Sequence, residues 1–212
     1  MRAKLVAMGE SNVVAGFLPT THGLHFANRF PPGPTLRLGP LNPRWFGVGD
    51  AANGLCGGMA WFVRERFAAG LPIPPDTQAP ANGSPLFQAL VRRQLKSLEW
   101  LRAPLGFWWI GAFGPERTAR RSRETEWQRI RATIDAGRLA MVGLVRHQGL
   151  NPFNLSRSHQ VVGYGYEIDG GTVRLRIYDP NWPDRDDVAV VIETDLIRQS
   201  TGEALFGILA LA

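Results

Sequence analysis

The sequence predicts an α+β domain, with an N-terminal helical part packed on a C-terminal twisted antiparallel β-sheet. Three observations carry that expectation. Apolar residues recur at helical spacing between Cys56 and Ala136, and strand-like alternation fills the chain from Leu139 onward. The helices come first and the strands later, which favours α+β over an alternating α/β order. The 212 residues suit a single domain, 1–212, with enough chain to bury a core without disulfides or metals.

Taken in order, residues 1–21 show no period and are expected to form a loosely attached arm. Residues 23–30 (GLHFANRF) read as a short strand, and residues 31–44 as a Pro- and Gly-rich loop. A helix is expected from Cys56 to about Gly70, a natural residue just past a helix end. After the Pro-rich stretch 71–83, Ser84 and Pro85 form an N-cap and first-turn pair. They open a second helix through about Trp100, with Leu86, Leu90, Leu95 and Leu98 on one face. Residues 103–121, which contain Phe107, Trp108, Trp109 and Phe113, are expected to form a packed excursion between helices. Residues 122–136 form a third helix through Trp127, Ile130 and Ile134, stopped by Gly137. Strands are expected at 139–146, 158–168, 172–179, 187–193 and 203–211.

The segment Asn53-Gly54-Leu55-Cys56-Gly57-Gly58-Met59-Ala60-Trp61 carries the clearest chemistry. A Gly-flanked loop runs into a cysteine that opens a helix. The helix N-terminus carries roughly half a positive charge, which stabilises a thiolate and lowers its pKa. Gly57 and Gly58 leave backbone N–H groups open to a developing oxyanion. The competing reading is a lone cysteine serving as a small buried hydrophobe, so a partner base has to decide.

That base comes from a predicted hairpin. SHQVVGYGYEI and TVRLRIYD flank Asp169-Gly170-Gly171. With a three-residue loop, Val161 faces Asp179, and His159 becomes its diagonal neighbour on the same face, within reach of a hydrogen bond. A two-residue turn would instead shift the register by one and separate the pair. Gly163 and Gly165, on the same face, leave room for the Cys56 helix to pack closely through Met59, Phe62 and Val63. In this reading Cys56 is the nucleophile, His159 the general base and acid, and Asp179 the residue that orients the imidazole.

These segments, NGLCGGMAW before a helix, SHQVVGYGY starting a strand and IYDPNWP ending one, resemble the papain-like cysteine peptidases, and more nearly the bacterial peptidase C39-like group. The resemblance covers roughly residues 45–70 and 139–193. It implies a helical part carrying Cys56 and a sheet carrying His159 and Asp179. It also implies action on a peptide, amide or small acyl substrate without cofactor or metal. Where the family places an oxyanion-donating Gln, this chain has Asp50, which donates no hydrogen bond unless protonated. Asn53 and Gly57 are the alternative donors. Papain itself uses Asn as third member, which makes Asn181 a rival to Asp179. Trp182 is expected to pack over the His–acid pair and line the cleft. A catalytically inactive binding module and a Cys-dependent acyltransferase remain alternatives.

Other patterns carry less. His22 and His25 have an H-x-x-H spacing without further ligands, and Gly47-Val48-Gly49 lacks the rest of a dinucleotide fingerprint. The net charge of +6 raises a nucleic-acid question. However, the arginines of 117–131 alternate with Glu116, Glu124 and Glu126 as on a solvated helix face. No apolar run approaches the roughly 18 residues that span a bilayer. The start MRAKLVAMGESN has no secretory apolar stretch, and the one cysteine allows no internal disulfide. The expectation is a cytoplasmic protein away from membranes. The sequence fixes no oligomeric state.

Overall fold

The computed structural model describes residues 9–31, 54–99, 114–146, 159–194 and 196–211. Within them the chain is α+β, built on one antiparallel sheet. The strands are β1 (Glu10–Val13), β2 (Ala140–Val145), β3 (His159–Asp169), β4 (Thr172–Tyr178), β5 (Ala189–Ile192), β6 (Ile197–Gln199), β7 (Ala204–Leu205) and β8 (Gly207–Leu211). They are ordered β7-β6-β5-β4-β3-β2-β8, and β1 pairs with β3 beyond the end of β2. β7 and β8 lie at opposite ends of that order, yet Phe206 alone separates them. One residue cannot span a flat sheet, so the sheet curls until its two ends meet.

The helices are α1 (Pro19–His22), α2 (Cys56–Ala68), α3 (Pro85–Glu99), α4 (Pro115–Arg121) and α5 (Trp127–Asp135), with one π-helical turn, Ser122–Glu126, joining the last two. α2 ends as expected, with Gly70 at φ 63°. Ser84 caps α3 by accepting the Phe87 N–H at 3.3 Å. The buried face of α3 is centred on Phe87, Leu90 and Val91, so of the expected leucine row Leu90 lies in the core while Leu86 and Leu95 are partly buried. A Cβ on Gly58 would lie 2.2 Å from the Leu90 carbonyl oxygen, so the backbones of α2 and α3 touch there and only glycine fits. Trp127, Ile130 and Ile134 are buried as the spacing predicts.

Four expectations change. Residues 10–13 are not part of a loose arm but a strand, with Glu10 opposite Ile168 and Val13 opposite Gly165. All four of its side chains are exposed, so backbone pairing holds it and no hydrophobic period marks it. Beyond it, Val14 and Phe17 enter the core. Residues 23–30 are irregular rather than a strand, anchored by buried Leu24, Phe26 and Phe30. Residues 115–121 are helical, because Pro115 starts a helix that runs through the π turn into α5. β6 was not anticipated, and the expected strand 203–211 breaks at Phe206, where the chain passes between the two ends of the sheet.

The π turn has a visible purpose. β8 is an edge strand, and the N–H groups on its outer side need acceptors. Ile208 N–H donates to Ser122 Oγ at 3.0 Å, and Ala210 N–H donates to Glu126 Oε2 at 3.1 Å. Gly207 admits this approach, since a Cβ there would sit 2.7 Å from Ser122 Oγ. Arg121 donates to the other oxygen of the fully buried Glu126 at 3.1 Å. The edge is thereby closed by helix side chains rather than by another strand.

Candidate active site

Cys56 is the first residue of α2, His159 the first of β3, and Asp179 the first after β4. The fold brings all three together. His159 Nε2–H donates to Asp179 Oδ1 at 2.6 Å, in a pair that is 2% and 1% exposed. Cys56 lies close enough to the same imidazole for its charge and hydrogen bonding to act on the thiol. Nε2 is already engaged, so Nδ1 is the nitrogen that faces the sulfur. Cys56 itself is half-buried.

The hairpin reaches this alignment by a route the sequence did not reveal. The turn has two residues, Gly170 and Gly171, at φ 53° and 89°, between paired Asp169 and Thr172. Both need the left-handed region that only glycine enters freely, as in a type I′ hairpin. By itself this turn would put His159 and Asp179 on opposite faces. A β-bulge corrects it: Gly165 faces Arg176 and Gly163 faces Ile177, so Tyr164 is one residue extra on β3. Beyond the bulge Val162 faces Tyr178, which restores the pairing that brings His159 to Asp179. The extra Tyr164 is buried, packs on Phe17 at 5.3 Å between ring centres, and donates to the Asp186 carbonyl at 2.9 Å. The glycines also differ from expectation. Gly163 is enclosed by Leu175 and Val142, and Gly165 by β1, so neither holds room for α2.

The charges reinforce one another. Burial alone would raise the Cys56 thiol. The charge on His159 and its hydrogen bond outweigh that, helped by the Gln160 and Gly57 backbone groups, and hold it below its ordinary value. Burial alone would lower His159. The charges of Asp179 and Cys56 reverse this, with hydrogen bonds from both, and lift it to about 9. Burial would likewise raise Asp179, but His159, the Asn181 N–H and Gln199 hold it low. Each shift favours the charged form, so the three groups support one another as thiolate, imidazolium and carboxylate. Leu55 gives α2 no side-chain N-cap and its first turn holds no acidic residue, so no carboxylate of the helix offsets its positive end at Cys56.

The expected oxyanion donors fare unevenly. Asp50 and Asn53 lie outside the described residues, as do Trp108 and Trp109. The Gly57 backbone is directed at the Cys56 sulfur, and Gly58 N–H is taken by Gln94 Oε1 at 2.8 Å. Asn181 is not the imidazole partner. Its N–H donates to Asp179 Oδ1 at 2.8 Å, so it supports the acid that displaces it from that role. Trp182 is 41% exposed and carries the Arg185 guanidinium 5.4 Å from its ring centre. His22 stacks between Phe17 and Phe67, and His25 pairs with Asp184 at 2.5 Å, so the two do not converge on one ligand site. Among the described residues no group of three or more His, Cys, Asp or Glu could hold a metal, and no helix is long and apolar enough to cross a membrane.

Gln199 was not anticipated. Tyr166, Leu175, Val190 and Gln199 form one row across β3 to β6, on the face that continues to Asp179. Gln199 is 1% exposed, and its Nε2–H donates to Asp179 Oδ2 at 2.7 Å. A glutamine at a core-facing strand position was the available signal, but it required recognising the three-residue β6. Gln160 is also buried beside Gly57, with no partner for its Oε1 among the described residues.

Compared with models of protein families, with curated proteins and with solved structures, the chain matches none.

Proposed function

We propose that this chain is a papain-like thiol hydrolase that acts on a peptide, amide or related acyl bond. The observation that carries the reading is the buried, hydrogen-bonded His159–Asp179 pair with the half-buried Cys56 thiol beside its imidazole, at a helix N-terminus. A merely structural cysteine needs no buried imidazole–carboxylate pair behind it, and such a pair is costly to bury unless fully bonded.

The roles follow from protonation. The Cys56 thiolate attacks the carbonyl carbon and forms a tetrahedral adduct. The imidazolium of His159 gives its Nδ1 proton to the leaving amine or alcohol as the carbon–heteroatom bond breaks, which leaves a thioester on Cys56. His159, now neutral, takes a proton from water as that water attacks the thioester. The adduct collapses to acid and thiolate, and the imidazolium is restored. Asp179 keeps Nε2–H bonded throughout and stabilises the charged ring.

A phenyl ester or thioester of a small acid tests this directly. Intact-mass analysis should show the acyl group on Cys56 at early times, followed by free thiol and released acid, and neither in Cys56→Ala. An added amine that captures the acyl group in preference to water would move the reading to acyl transfer. No acyl-enzyme with any of several activated acyl donors, although Cys56 reacts with a haloacetamide, would refute hydrolysis.

A further inference from the structure

The three reactive side chains lie on three separate stretches of chain, and one further side chain joins the outer two. Asn28 sits in the irregular segment between α1 and α2. Its Oδ1 accepts the Leu55 N–H at 2.6 Å, immediately before Cys56. Its Nδ2 donates to Asn181 Oδ1 at 3.3 Å, and its backbone N–H donates to the Pro180 carbonyl at 2.8 Å. The contacts close a ring: Cys56 to His159, His159 to Asp179, Asp179 to the Asn181 N–H, Asn181 Oδ1 to Asn28, and Asn28 to Leu55 and back to Cys56. Leu55 is the N-cap position of α2 and has no capping side chain of its own. Gly54, at φ 84°, admits the amide, since a Cβ there would lie 2.5 Å from Asn28 Nδ2.

We propose that Asn28 is a positioning residue that fixes the distance between the Cys56 loop and the Asp179–Asn181 loop, and so keeps the thiol in line with the imidazole. An amide suits this place because one end must accept and the other must donate. Aspartate would keep the acceptor for Leu55 and present an oxygen to Asn181 Oδ1. Alanine would release both loops. Reaction rates at such sites are sensitive to displacements of about 1 Å.

The proposal rests on Cys56 being the activated nucleophile, and the experiment separates the two claims. Cys56 alkylation by iodoacetamide is followed across pH in the full chain, in Asn28→Ala, in Asn28→Asp and in Asn181→Ala. The parent profile alone tests the nucleophile. If its thiol titrates as an ordinary one, that reading fails whatever the variants do. With an activated parent, Asn28→Ala is expected to lower the plateau rate about tenfold and to move the alkylation midpoint toward higher pH. The double variant with Asn181→Ala should lose no more than the larger single loss, because the two amides act in series. A destabilised variant elsewhere in the fold, Glu126→Gln, should keep the parent profile in its folded fraction. An Asn28→Ala chain that unfolds more readily but alkylates with the parent's pH profile would overturn the proposal. If Asn28→Ala fails to fold, Asn28→Asp decides it by the same comparison.

Discussion

Asp179 and Glu126 are both carboxylates buried from solvent, at 1% and 0% exposure, and both accept several hydrogen bonds. Their partners separate them. Glu126 takes the Ala210 N–H and the Arg121 guanidinium, with Arg129 at 3.9 Å. These are a backbone amide and guanidinium groups, with no imidazole or thiol among them. Asp179 takes the Asn181 N–H, the Gln199 amide and an imidazole whose own proton state is coupled to a thiol. The first arrangement can only hold a strand edge against a helix. The second can hold, release and return a proton. A buried carboxylate is therefore no sign of chemistry by itself; the titratable group it faces, and what that group faces in turn, make the difference.

Removing the titratable member should break the comparison most sharply. In the parent, alkylation of Cys56 should rise at a pH well below that of an ordinary thiol, because the thiol is held low. The pair should then persist as thiolate and imidazolium until His159 deprotonates near pH 9. Above that pH hydrolysis should fall, since no proton remains for the leaving group. His159→Ala is expected to cut alkylation at neutral pH by about a hundredfold and to move its midpoint upward, because burial then acts against the thiolate with less to oppose it. An unchanged profile would mean that Cys56 is an isolated thiol. The pair also carries a stability signature. His159 is raised above its ordinary value, so its contribution is complete below about pH 6.5 and is lost as pH rises through about 9.

Glu126 should behave in the opposite sense. Glu126→Ala leaves the part-buried Ala210 N–H without its acceptor, while Arg121 and Arg129 can turn to solvent. The expected loss is about 2 kcal/mol in denaturant unfolding, with the Cys56 alkylation profile of the folded protein unaltered. A shift in that profile would show that the closed edge of β8 and the reactive end of β3 are mechanically one unit.

The contrast also explains what could be read in advance. Cys56, His159 and Asp179 were legible because each lies beside strong local punctuation: glycines before a helix, the start of an alternating strand, and Asp-Pro-Asn after one. The register that joins them was legible only in its result. A two-residue turn and a bulge at Tyr164 together give the alignment that a three-residue turn would have given alone, and nothing in a pattern of alternation distinguishes the two. β1 was hidden because all four of its side chains are exposed, so no apolar alternation marks it. The arginines and glutamates of 117–131 read as a solvated face, yet Glu126 belongs to the core, because its partner is a strand more than 80 residues away. Asn28 had no signal at all, since an asparagine in an irregular segment is ordinary until its partners are known.

The finest distinction concerns Gln199, the one partner of Asp179 that could be replaced without touching the imidazole. Gln199→Met keeps most of the side-chain volume and removes the Nε2–H that Asp179 Oδ2 accepts. It also removes Oε1, which is buried without a partner among the described residues, so part of the lost stability returns. The net change in unfolding free energy should be about 1 kcal/mol or less. The clearer effect is on acid sensitivity. Asp179 is held below its ordinary value, so its contribution is present above about pH 4 and is lost as pH falls through the lowered value. Without Gln199 that value moves back toward the ordinary one, and the acid loss of stability should begin at higher pH. Thermal unfolding of parent and variant from pH 3 to 7 measures this. Curves that stay parallel would show that Gln199 only fills space. Curves that diverge as pH falls would show that the outer side of the carboxylate is part of what keeps His159 charged.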